Sequence, residues 1–90
     1  MFYLEKFTCP CCGYKTCDEE PGHYIICPVC FWEDDPYQRD YPNYEGGANR
    51  VSLKKGQQNF IDFGACEYEM KRNTRLPNPD EPKDPAWKQH

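Results

Sequence analysis

No stretch of this sequence is long and apolar enough to cross a membrane, which takes about 20 consecutive apolar residues. Hydrophobic residues make up only 38% of the 90 positions. So short a chain with so little apolar content buries a modest core, and small scaffolds usually need disulfides, a metal or a partner subunit. Positive charge is also scarce. Eleven Lys and Arg face fifteen Asp and Glu, for a formal net charge of −4. That balance disfavours a general nucleic-acid binder, because phosphate contacts need Lys and Arg. Met1–Thr8 has no apolar run like that of an export signal, since Glu5 and Lys6 interrupt it. The expected compartment is therefore the reducing cytoplasm. There, paired cysteines are more often metal ligands than disulfides. No serine, threonine or cysteine sits in a recognisable nucleophile motif. Gly46-Gly47-Ala48-Asn49-Arg50 lacks the Lys-Ser/Thr ending of a phosphate-binding loop. It reads as a connecting loop, with Asn49 binding backbone, in preference to an anion site.

What the chain does hold is seven cysteines and an aromatic content of 16%. Seven is odd, so a full disulfide framework would leave one thiol over. A few large rings can fill a small core, because each buries much area. Charge is uneven along the chain: residues 1–45 carry nine acids against three bases, and residues 46–90 six acids against eight bases. The acidic half suits a basic partner, although solubility alone can account for such a face.

Cys9, Cys12, Cys27 and Cys30 form two Cys-x2-Cys pairs. A two-residue spacer in a tight turn aims both sulfurs at one point, and two such turns make a tetrahedral site with bonds of about 2.3 Å. Pro10 and Pro28 pre-set the backbone at the start of each turn, and Gly13 supplies the positive φ expected just after a second ligand. The spacing predicts a structural zinc ion, closed to water by four thiolates. Iron is the rival, since tetrahedral sulfur suits either metal. Cys11 should point away from the metal, and Cys17 and Cys66 read as small core residues. His23 reads as a hairpin-edge residue.

The expected fold is a small metal-stapled α+β domain. Tyr14–Cys17 and His23–Ile26 are predicted to pair as an antiparallel hairpin with a cysteine knuckle at each end, and Phe2–Phe7 to lead in as a strand. Phe31–Asn49 reads as a loop whose rings, including Tyr37, Tyr41 and Tyr44, pack over the ribbon. Ser52 is a helix N-cap, and Leu53, Gln57, Phe60 and Ile61 follow at helical spacing. Gly64 either ends that helix or lies inside a longer one running through Glu67–Arg72. Gly56 weakens it by about 1 kcal/mol relative to Ala, which suggests close packing or a tolerated defect. The division is a domain over 1–73 and a Pro-rich tail over 74–90, extended or disordered by composition, with Trp87 its obvious anchor.

Glu33-Asp34-Asp35 directly follows the second knuckle. It reads either as a solvated turn closed by Asp35-Pro36 or as a carboxylate surface for a basic partner or a second metal. Trp32 beside it strengthens the surface reading, and the expected partner-binding set is Trp32, Glu33, Asp34, Asp35 and Tyr37. The leading expectation is a non-enzymatic interaction module. An immunity or antitoxin-like protein masking a basic effector is one specific form. A nucleic-acid-associated ribbon using Arg50, Lys54, Lys55, Lys71 and Arg72 is an alternative, and a small hydrolase using carboxylates is the weakest.

Cys9-Pro10-Cys11-Cys12-Gly13 resembles the opening of the bacterial cysteine-rich CPCC family. The likeness continues through Ile26-Cys27-Pro28-Val29-Cys30-Phe31-Trp32-Glu33-Asp34-Asp35, Gly46-Gly47-Ala48-Asn49, Ser52-Leu53, Gln57, Asn59-Phe60 and Phe63-Gly64-Ala65-Cys66. It covers roughly residues 8–67, with several separated motifs in order. The resemblance implies a zinc-ribbon-like domain of unsettled function. Gly56 stands where similar proteins tend to have Ala.

Overall fold

Each Cys-x2-Cys turn closes on itself before it meets anything else. In the computed structural model, which describes residues 6–90, Gly13 N donates to Cys9 O and Cys9 N to Tyr14 O, both at 2.9 Å. Strands β1 (Phe7–Thr8) and β2 (Lys15–Cys17) flank this turn and pair antiparallel, with an irregular register between Phe7 and Thr8. The expected strand over Phe2–Phe7 falls largely outside the described residues.

The hairpin differs from the expected one. Tyr14–Cys17 pairs with residues before its own knuckle, not with His23–Ile26. The run His23–Ile26 likewise pairs across the second knuckle: Ile26 bridges to Glu33, Tyr24 N donates to Asp34 O, and Asp34 N donates to Ile25 O. Tyr24 sits at φ +59°, which breaks the extended run at its start. Local closure around a four-residue turn costs less chain entropy than pairing across the longer connection. The result is two small hairpins, each carrying one Cys-x2-Cys pair at its tip.

The segment after the second knuckle also departs from a plain loop. Helix α1 covers Pro36–Asp40. Asp35 caps it by accepting from Tyr37 N at 2.8 Å, and Pro36 takes the first helical position, where its missing N–H costs nothing. Helix α2 covers Leu53–Phe63. The Ser52 hydroxyl accepts from Lys55 N at 3.0 Å, and Gly64 ends the helix at φ +83°. Of the two readings of Gly64, the cap holds, and the chain continues as a separate 3-10 helix over Tyr68–Asn73.

The cysteines, Val29, Trp32, Leu53 and Ala65 form the apolar interior between the knuckles and α2. Gly56 brings α2 close: a β-carbon there would lie 3.2 Å from Trp32 Cζ3 and 3.3 Å from Cys11 Sγ. Of the two readings of Gly56, close packing is the one observed. The tail is ordered although largely irregular. Lys83 bridges antiparallel to Tyr14, and the Trp87 indole N–H donates to Pro10 O at 2.7 Å. Among the described residues no helix is long and apolar enough to cross a membrane.

Candidate metal centre

The two knuckle tips meet so that Cys9, Cys12, Cys27 and Cys30 converge. Cys9 Sγ lies 3.6 Å from Cys30 Sγ, and Cys12 Sγ lies 3.8 Å from Cys27 Sγ. All four sulfurs fall within 4.8 Å of one another. A regular tetrahedron with metal–sulfur bonds of about 2.3 Å has sulfur–sulfur edges of about 3.8 Å. The set therefore fits one tetrahedral metal ion. A disulfide requires sulfurs about 2.05 Å apart, and all seven cysteines are free.

The four sulfurs are sealed from solvent. Burial pushes the Cys9 and Cys30 thiols well up. Hydrogen bonds from Cys12, Cys30 and Cys9 pull Cys27 well down. Four buried sulfurs cannot all carry charge without a cation among them, which is the role a metal ion fills. Thr16, on β2, places its hydroxyl 3.0 Å from Cys27 Sγ, within reach to donate to that sulfur once it is a metal-bound thiolate. Partners of this kind fix ligand orientation. The sequence reading passed over Thr16, because only the fold brings β2 beside the second knuckle.

The other cysteines lie outside the ligand set. Cys11, Cys17 and Cys66 are buried, as expected of small core residues, and burial pushes the Cys11 and Cys66 thiols up. His23 is exposed and is not part of the set.

The predicted partner-binding residues are not displayed together. Trp32 is 0% exposed, Asp34 3% and Asp35 6%. Glu33 is half-buried and only Tyr37 is fully on the surface. The acidic run is therefore neither a solvated turn nor, for most of its side chains, a display. Asp34 accepts from Gly22 N at 2.8 Å, and Asp35 accepts from both Tyr37 N and Ala48 N at 2.8 and 2.9 Å. These carboxylates satisfy backbone donors that the irregular connections leave unpaired, which is why they are buried. The rings meet the other expectation only in part: Trp32 is buried in the core and Phe31 packs against it. Tyr37, Tyr41 and Tyr44 do not pack over the ribbon but cluster on the surface at 51%, 58% and 43% exposure. Tyr37 lies 4.6 Å from Tyr41 and 4.7 Å from Tyr44 between ring centroids.

Beneath that cluster is a residue the sequence did not single out. Gln38 is fully buried, and its Nε2 lies 3.0–3.1 Å from the carbonyl oxygens of Tyr44, Asn49 and Val51. Its Oε1 accepts from Asn49 N at 3.0 Å and from Asn49 Nδ2 at 2.9 Å. Asn49 in turn holds Glu33, accepting from its N–H and donating to its carbonyl. The expectation that Asn49 binds backbone is met.

Among known proteins, the family model described as cysteine-rich CPCC matches residues 7–81, reaching into the tail. No curated protein matches the chain.

Proposed function

Given that the chain belongs to the cysteine-rich CPCC family, we propose that it is a cytoplasmic protein-interaction module stapled by one structural zinc ion. The observation that carries this reading is the closed donor set. Four buried sulfurs at tetrahedral spacing fill every position on the ion, whereas catalytic zinc keeps one open for water. The metal then builds the fold, and function falls to the surface.

Support for a protein partner comes from Tyr37, Tyr41 and Tyr44. Exposed tyrosines on a rigid base give contact area at little entropic cost, and the Gln38 network supplies the base. Exposed Glu45, and Asp40 with its neighbour Arg39 at 3.6 Å, adjoin these rings in sequence; Glu45 favours a basic partner and keeps the immunity-like form of the reading. The nucleic-acid alternative has less support. Arg50 is paired with Glu67 at 2.7 Å, and Lys71 lies over the Tyr68 ring.

Two measurements test the reading. Elemental analysis should find one zinc per chain in a colourless protein, and a red protein with visible absorption bands would replace zinc with iron. Affinity capture should yield a partner that is lost with Tyr37→Ala, Tyr41→Ala and Tyr44→Ala. Undiminished capture by all three variants would remove this face as the interaction surface.

A further inference from the structure

The two knuckles share one hydrogen-bond scheme. Phe31 N donates to Cys27 O at 2.8 Å and Cys27 N to Trp32 O at 2.9 Å, matching Gly13 with Cys9 and Cys9 with Tyr14. Gly13 therefore corresponds to Phe31, and Lys15 to Glu33.

On the first knuckle the chain's own tail completes the open edge. Asp84 N donates to Gly13 O at 2.8 Å, and Lys15 N donates to Pro82 O at 3.0 Å. The Trp87 indole covers the surface over Gly13, and Lys83 Nζ lies over the rings of Tyr14 and Trp87. A cation beside a large apolar side chain thus seals that edge.

On the second knuckle only part of this pattern is filled. The Asn49 carboxamide stands in for a peptide group at Glu33, accepting its N–H at 2.9 Å and donating to its carbonyl at 2.7 Å. Among the described residues nothing donates to the carbonyl of Phe31, the counterpart of Gly13 O. Next to it lies a groove of about 280 Å³, with Ile26, Phe31, Val51 and Met70 as its apolar wall and Glu33 on its lining; Arg50 also lines it but is already paired with Glu67 at 2.7 Å. Glu33 enters no ion pair among the described residues.

The backbone supplies a second observation. Phe31 sits at φ +70°, where its counterpart Gly13 sits at φ +80°. A side chain is disfavoured in that region, and glycine would relieve the strain. Strain of this kind persists where the side chain serves a purpose. Here the ring forms a wall of the groove.

We propose that the second knuckle is a docking edge for an extended segment of a partner protein, bound as the tail is bound on the first. The segment donates a backbone N–H to Phe31 O, places an apolar side chain in the groove, and sets a Lys or Arg against Glu33. The tail itself is not the occupant, because it is already engaged on the first knuckle. This proposal rests on the protein-interaction reading and adds to it a second surface and a peptide chemistry.

The test is selection of a random peptide display library on the metal-loaded full chain, followed by binding measurements and methyl NMR. Recovered peptides should pair an apolar residue with a neighbouring Lys or Arg and shift the methyl signals of Ile26, Val51 and Met70. Phe31→Gly suits the backbone and removes the ring, so it should weaken binding at least tenfold while the circular dichroism spectrum is kept. Ile26→Asp, at a half-exposed position, should do the same should Phe31→Gly fold poorly. Glu33→Gln should weaken binding and flatten its salt dependence. Peptides that bind undiminished to Phe31→Gly and Ile26→Asp would overturn the docking edge. If those peptides leave these methyl signals in place and instead bind less tightly to Tyr37→Ala, Tyr41→Ala and Tyr44→Ala, the interaction reading survives without it. Recovery of no peptide also overturns the docking edge, while the tyrosine-face capture experiment still decides the broader reading.

Discussion

The indole of Trp87 occupies the space that a β-carbon on Gly13 would need: such an atom would lie 2.6 Å from Trp87 Cδ2 and 2.7 Å from Cε3. The first knuckle and the end of the chain are thus fitted to each other across more than seventy residues of sequence. Gly13→Ala meets two penalties at once. The left-handed backbone at φ +80° costs about 1–2 kcal/mol for a residue with a side chain. The added methyl also displaces the indole and its hydrogen bond to Pro10. The expected outcome is a loss of about 2–4 kcal/mol in urea unfolding, with tryptophan emission shifted towards that of exposed indole. An unchanged emission spectrum would show that the tail does not depend on this contact.

Removing the metal should remove the fold. The interior is built largely from the cysteines themselves, with Val29, Trp32 and Leu53 the largest apolar additions. Structural zinc contributes about 10–16 kcal/mol of apparent binding energy in comparable small sites, as much as a whole domain typically holds in net stability. A strong chelator under reducing conditions should abolish the near-ultraviolet circular dichroism signal, and zinc should restore it. Because the ligands must be deprotonated, release should become easier as pH falls. A chelated protein that kept its native spectrum would refute the staple argument.

Gln38→Ala should cost more than its size suggests. The two amide hydrogens of the side chain are shared among the carbonyls of Tyr44, Asn49 and Val51, and its oxygen accepts the N–H of Asn49. Each buried backbone group left without a partner costs about 1–3 kcal/mol. A total loss of about 3–5 kcal/mol is expected in denaturant unfolding. Tyr41→Ala, at an exposed ring of the neighbouring cluster, should change stability by less than about 1 kcal/mol. Equal effects of the two substitutions would mean that the network is not what holds this segment.

Glu81 gives a prediction with a defined pH dependence. Its buried carboxylate accepts two hydrogen bonds from Arg75, at 2.7 and 2.9 Å, and one from Asn78 N at 2.8 Å. The Arg75 guanidinium, ahead of the other partners, holds the carboxyl down at about 2, below its usual 4.5. A depressed carboxyl stabilises the folded chain fully above its ordinary value, and that stability is lost only as pH falls towards about 2. Arg75 is part-exposed, which screens the pair, so Glu81→Gln should cost about 1–2 kcal/mol. Between pH 6 and 8 the carboxyl is ionised in both folded and unfolded chains. The gap between wild type and Glu81→Gln should therefore stay flat across that range in the metal-loaded protein. A gap that changed there would trace the effect to another group.

The convergence of Cys9, Cys12, Cys27 and Cys30 was legible because metal geometry constrains sequence spacing directly: a Cys-x2-Cys turn leaves its sulfurs few other directions. The cap and stop of α2 were legible for the same local reason, through Ser52 and Gly64. The strand pairing was not. Both knuckles carry similar flanking residues, and only the register of Ile26 with Glu33 and of Phe7 with Cys17 separates two local hairpins from one shared hairpin. The acidic run misled because free carboxylates are normally exposed, whereas Asp34 and Asp35 are taken up by backbone donors more than ten residues away. Asp35-Pro36 did hold the signature of a helix start. The tail was hidden from composition because its order rests on pairings such as Trp87 with Pro10 and Lys83 with Tyr14, which no local pattern encodes.

The covering of Gly13 by Trp87 also bears on how long a metal ion stays bound. Ions leave four-thiolate sites stepwise, as a competing ligand reaches one sulfur after another, so residence time depends on access as well as on affinity. With Pro10 and Gly13 both held by the indole, the tail lays a further cover over the first knuckle of a centre whose four sulfurs are all buried. A chain cut at exposed Leu76 would lose that shield and keep all four sulfurs. Its metal would exchange faster at little change in equilibrium occupancy, and the tail would emerge as a kinetic guard on the site.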